Sequence, residues 1–188
     1  MSRETIAAFE AEYGRYKTYA EGAFEQLSAE QLNARPNEVS NSIAMIVWHL
    51  SGNLASRFTE FLTTDGEKPW RQREEEFAVR VVSKPECLAK WEMGWKVVLD
   101  TLASLQDADL TTTVQIRRQP LTVRDALLRS LAHVSMHVGQ IVYIGKLMQG
   151  AKWIYLSIPP GQSEAYNRNP TFERPDQLAA AIKAKTGA

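Results

Sequence analysis

Apolar residues recur along the chain at steps of three and four, in stretches long enough for helices. Between residue 2 and about residue 33, Ile6, Phe9, Tyr13, Tyr16, Ala20 and Phe24 form one such stripe, with Glu10, Glu12, Lys17 and Glu21 mostly off it. Gly14 and Gly22 weaken a continuous helix, each costing about 1 kcal/mol relative to alanine. Ser28 followed by Gln31 has the form of a capping box, so the spacing predicts a break near Leu27 and a short second piece. A second helix is expected over about 42–63, opened by Ser40-Asn-Ser42 and carrying Ile43, Ile46, Val47, Leu50, Leu54, Phe58 and Phe61 on its buried side. A third begins at Ser83-Lys-Pro85 and reaches about residue 105 through Leu88, Trp91, Trp95, Val98 and Leu102. The fourth and longest opens at Thr122, with Asp125 three residues on, and runs to Gln149 before Gly150.

Between these helices the pattern changes. Residues 63–69 are rich in turn formers, and Trp70 to Phe77 reads as a solvated connection of mixed charge. Thr111 to Ile116 is β-branched and alternating, which predicts a short strand or hairpin before the fourth helix. Arg117-Arg118 then form a two-residue basic spot in a loop. Beyond Trp153 the prolines at 159, 160, 170 and 175 break the chain, and residues 176 to about 186 carry a last amphipathic pattern. The expected architecture is all-α: a bundle of four helices in one domain spanning 1–188, with a small β element before the last bundle helix and an extra C-terminal helix.

The chemistry lies in the histidines, of which there are three. His133-Val-Ser-Met-His137-Val-Gly-Gln140 places two imidazoles one turn apart on the fourth helix, on a face shared with Ala126, Ser130 and Ile144. His49 falls at the edge of the second helix's buried stripe, on the side of Ser42, Ile46 and Asn53, with Trp48 pointing elsewhere. Two inward imidazoles are costly to bury unpaired, and one metal ion satisfies both. From spacing alone, a pair of hydrogen-bonded core histidines explains the pattern as well as a metal site does. The residue after His133 is Val134, so the glutamate base of zinc proteases is missing. No carboxylate ligand is evident beside the three nitrogen donors. A metal held by them would keep an open position, as catalytic sites do.

Composition narrows the field further. Basic and acidic residues both number 22, which argues against a nucleic-acid backbone or an acidic membrane surface as partner. Cys87 is the only cysteine, so intrachain disulfides and thiolate clusters are excluded; it reads as a small buried residue. No apolar run is long enough for a membrane span, and Met1 to Glu10 lacks a signal-peptide layout, so a cytoplasmic location is expected. Phosphate loops and nucleophile elbows are not found.

The lone histidine on the second helix, the His-x-x-x-His-x-Gly-Gln on the fourth and the helix order resemble the DinB/YfiT-like superfamily of metalloenzymes. The stretch from Ile116 to His133 and the tail Leu156-Ser-Ile-Pro-Pro-Gly-Gln-Ser-Glu-Ala-Tyr-Asn167 are similar to an uncharacterised bacterial branch of it. The resemblance implies a four-helix bundle with a long crossover, often a homodimer. Its ligand triad falls on His49, His133 and His137, holding one divalent ion. Zinc is the first choice, with nickel, iron or manganese as alternatives. Characterised members include bacillithiol S-transferases and mycothiol-dependent maleylpyruvate isomerase. The implied activity is therefore thiol-dependent S-transfer, with a low-molecular-weight thiol as co-substrate and a small electrophile as substrate. Asn53 and Gln140, each within about a turn of a ligand, are candidates for hydrogen bonds around the site. The alternatives are a metal-dependent hydrolase and a non-catalytic, metal-stapled dimeric module.

Overall fold

In the computed structural model, which describes residues 2–187, four long helices carry the chain. They are α1 (Glu4–Glu25), α3 (Ile43–Phe58), α4 (Lys84–Ser104) and α5 (Val123–Gln149), with α2 (Ala29–Asn33) a short piece after the first. Around the bundle α1 packs on α4 and α5, and α3 packs on the same two, so each helix has two neighbours. The hairpin β1 (Thr113–Ile116) and β2 (Gln119–Thr122) precedes α5, and α6 (Ser163–Asn167) and α7 (Pro175–Thr186) follow it.

Local signals set most of these boundaries. Ser28, Ser42, Ser83 and Thr122 each cap a helix by accepting from the backbone N–H three residues on. At Ser28 the Gln31 side chain returns the bond, completing the expected box. Gly150 ends α5 at a φ of 55°, in the region that favours glycine.

The core is one continuous cluster with Trp91, Trp95, Tyr13 and Phe24 at its centre. Trp91 and Trp95 lie 5.2 Å apart, Phe24 meets Trp91 edge-on at 5.2 Å, and Tyr13 donates to the Leu127 carbonyl at 3.1 Å. The helix α4 comes unusually near α3, because a Cβ at Gly94 would stand 2.5 Å from Ser51 Cα. That approach fixes α3, and His49 with it.

Three expectations need correction. Gly14 and Gly22 do not interrupt α1, which is continuous from Glu4 to Glu25; burial of Phe9, Tyr13 and Phe24 outweighs their helix penalty. The second long helix ends at Phe58, not near 63, and Glu60 adopts a φ of 48°. Phe61 is still buried, so the apolar period runs past the helix that produced it. The tail also forms one helical turn, α6, between its prolines.

At the hairpin tip Arg117 and Arg118 both have left-handed backbones, with φ of 55° and 62°. Such turns suit the twist of a two-residue hairpin but favour Asn and Gly. Here Asp65 compensates, its carboxylate accepting from Arg117 N–H at 2.8 Å and Arg118 N–H at 2.6 Å. Asp65 belongs to the long crossover between α3 and α4, so this contact ties crossover to hairpin.

Candidate metal centre

The three histidines converge. His49 comes from α3, His133 and His137 from consecutive turns of α5, and each offers a ring nitrogen within 4.8 Å of the other two. His49 and His137 are buried; His133 is partly exposed. The Nε2 atoms of His49 and His133 are 3.1 Å apart. Two donors about 2.1 Å from one tetrahedral ion stand about 3.4 Å apart, so the spacing matches a shared ion closely.

Outer partners decide which nitrogens face inward. His49 Nδ1 lies 2.9 Å from Glu76 Oε2, and a carboxylate only accepts, so the proton sits on Nδ1 and the Nε2 lone pair points at the cluster. His137 Nδ1 faces Gln140 Oε1 at 2.8 Å, with the same consequence. His133 Nδ1 is buried with no hydrogen-bond partner among the described residues. Burial, reinforced by the charges of His137 and His49, pushes the His133 ring down to about 3, and burial lowers His137 as well. Both rings are therefore neutral near pH 7, the state in which imidazole binds a metal. Three imidazole donors, two of them oriented by outer acceptors, fit a borderline-soft divalent ion such as zinc.

Glu76 corrects the reading of the crossover. The stretch 70–77 is not wholly solvated: Glu74–Phe77 forms a 3-10 turn packed on α3, and the side chains of Glu76 and Arg71 are 8% and 2% exposed. Arg71 grips Glu76 with two bonds, Nε to Oε1 at 2.8 Å and Nη2 to Oε2 at 2.9 Å. Burial alone would raise the Glu76 carboxyl, but the bonds from Arg71 and His49 outweigh it and hold it below the usual range. The Phe77 ring lies against the His49 ring, tilted by 31°, with centroids 4.6 Å apart. A carboxylate thus does stand beside the triad, as a support for His49. Its room comes from Gly52, where a Cβ would lie 2.7 Å from Glu76 Cδ. A glycine inside a helix, three residues after a histidine on the buried stripe, was the signal available in the sequence.

The cluster forms one wall of a cleft of about 360 Å³. Asn53 lines it; Gln140 does not, and stands behind His137. Ser130 and Ala126, one and two turns before His133, line it too and leave the space their small side chains predict. Trp48 lies outside the cleft with Arg80 over its ring at 4.6 Å. Cys87 is fully buried, and burial pushes its thiol up to about 12, which makes it inert packing. No helix among the described residues is long and apolar enough to cross a membrane.

A family model described as "protein of unknown function (DUF1572)" matches residues 1–162. No curated protein matches the chain.

Proposed function

We propose a function from the site itself, since the chain belongs to the DUF1572 family, whose description assigns none. The reading is a divalent-metal-dependent enzyme acting on small molecules, with His49, His133 and His137 as ligands. The observation that carries it is the convergence of three imidazoles on one cleft wall, two of them turned inward by Glu76 and Gln140. Three nitrogen ligands would leave a tetrahedral ion one position, and the cleft is where that position would open. A bound divalent ion would supply Lewis acidity that lowers the pKa of a thiol or water.

The histidine pattern's likeness to DinB/YfiT-like metalloenzymes supports thiol-dependent S-transfer as the reaction and a homodimer as the working unit. The chain's own residues are suited to it. Glu76 and Gln140 hold the Nδ1 atoms of His49 and His137, and Phe58, Phe61 and Phe77 give the cleft apolar lining that limits water. Glu76 is no general base for hydrolysis: both its oxygens are engaged by Arg71 and His49, and it does not line the cleft. That favours transfer over hydrolysis.

Elemental mass spectrometry on tag-free protein, beside His49→Ala and His133→Ala, tests the reading. About one ion per chain in the wild type, lost in both variants, is expected. Metal-dependent consumption of an electrophile only when thiol is added should follow. Turnover without thiol would move the reaction to hydrolysis. A protein that takes up no zinc, nickel, manganese or ferrous iron would overturn the metal reading.

A further inference from the structure

The cleft carries a charge that the chain as a whole does not. Basic and acidic residues balance at 22 each. Yet Arg57, Arg71, Arg73, Arg117 and Arg129 all line the cleft, and among the described residues no aspartate or glutamate does. They arrive from separate parts of the fold: α3, the crossover, the hairpin tip and α5. Convergence of one sign from four places is not the by-product of a basic run.

The carboxylates that meet these arginines are too few to neutralise them. Glu76 is engaged by Arg71 and His49. One oxygen of Glu67 is shared, accepting from Arg57 at 3.2 Å and Arg117 at 2.9 Å, with Arg71 at 4.0 Å. Glu74 meets Arg73 at 2.9 Å but is 88% exposed, so solvent screens that pair. Arg117 uses only its Nε, and its two terminal nitrogens make no hydrogen bond among the described residues. Arg129 makes no ion pair or side-chain hydrogen bond among the described residues, although it stands one turn before His133 on α5. The same lining also holds apolar side chains, Phe58, Phe61, Phe77, Ile116 and Met136.

We propose that the cleft binds a small organic anion beside the histidine cluster, its carboxylate or phosphate held by Arg117 and Arg129 and its apolar body against the phenylalanines. The guanidinium fork matches the two oxygens of such a group, and a cleft of one sign with apolar walls concentrates its field on an entering anion. The volume, about 360 Å³, lies in the range of small-molecule sites. The inference rests on the metal reading only for what happens to the anion once bound; binding itself requires no ion.

Calorimetric titration at low salt tests this on chelated and on zinc-treated protein, with benzoate, phenyl phosphate and neutral benzamide as probes. At least one anion should bind, at least about tenfold more tightly than benzamide, and more weakly as salt is raised. Arg117→Gln/Arg129→Gln should weaken the anion at least about tenfold while keeping the wild-type circular dichroism and melting profile. Arg117→Lys/Arg129→Lys should recover part of the loss, and Arg124→Gln, on the same helix outside the cleft, should cost nothing. The preferred probe separates carboxylate from phosphate. Benzamide binding as tightly as both anions, wild-type protein binding neither, or an unchanged affinity in the glutamine variant would overturn the proposal. Anion binding by a protein that takes up no metal would leave this inference standing and remove the metal reading; metal uptake without anion binding would do the reverse.

Discussion

Replacing Glu76 by glutamine separates two roles that this side chain combines. Its carboxylate accepts from Arg71 at both oxygens and from His49 at one. A glutamine has one acceptor oxygen. If that oxygen takes the place of Oε2, the new amide faces Arg71 Nε, donor against donor; the opposite orientation sets it against two donors. Either way the Arg71 guanidinium, 2% exposed, loses its counter-charge. Removing one partner of a buried pair costs about 3–5 kcal/mol. Glu67, 4.0 Å from Arg71, stays as a weaker partner and points to the low end. About 3 kcal/mol in a chain of this size is a fall in melting temperature of roughly 6–12 °C. Metal affinity should fall as well, by about 10–100-fold, in the second orientation, where His49 Nδ1 meets the amide nitrogen and loses the acceptor that fixes its ring. The double variant Arg71→Met/Glu76→Leu tells the two effects apart. With both charges gone, stability should return close to wild type, while metal affinity stays low. Urea unfolding in chelator measures the first quantity and competition against a chromophoric chelator the second. A metal-free Glu76→Gln protein as stable as wild type would refute the pairing argument. A double variant that binds metal at wild-type affinity would refute the positioning of His49.

Two further outcomes follow from the same geometry. Gly52→Ala should loosen metal binding and lower stability despite alanine's better helix propensity, since its Cβ displaces the Glu76 carboxylate; a variant more stable than wild type, with unchanged affinity, would contradict this. The metal-free protein should lose stability as pH falls from about 6.5. The folded state holds His133 and His137 below the ordinary value of 6.5, so the unfolded chain takes up protons that the folded chain refuses, and the loss continues toward the folded value of about 3 for His133. Thermal melts between pH 7 and 5, above the ordinary glutamate value of 4.5, include the histidine contribution, and His133→Gln should flatten the slope. An equal slope in that variant would count against the assignment.

The helices were legible because their faces are one-sided and their first turns carry serine or threonine caps, as at Ser42, Ser83 and Thr122. The triad was legible for a different reason: three histidines, each on an inward face, leave few ways to be satisfied. The support behind it was hidden. Arg71, Glu76 and Phe77 sit in a charged connection whose only helical turn is four residues long, too short for a period to show. Their burial is decided by packing on α3 and by the space at Gly52, a tertiary matter. The same applies to the arginines of the cleft, which are scattered from position 57 to position 129 and meet only once the crossover and hairpin are tied by Asp65.

The hairpin tip gives two adjacent arginines different fates under protein engineering. Both adopt a backbone that disfavours any side chain with a Cβ, at about 1 kcal/mol or more each. Only Arg117 lines the cleft. Glycine at 118 is therefore a stabilising replacement that leaves the cleft intact, whereas glycine at 117 would relieve the same strain and remove a guanidinium from the pocket. A library randomised at both positions and selected for thermal resistance alone would drive both toward glycine and asparagine. Selected for anion capture as well, it should keep arginine at 117 and let 118 drift, dividing the turn into one position set by folding and one set by what the cleft holds.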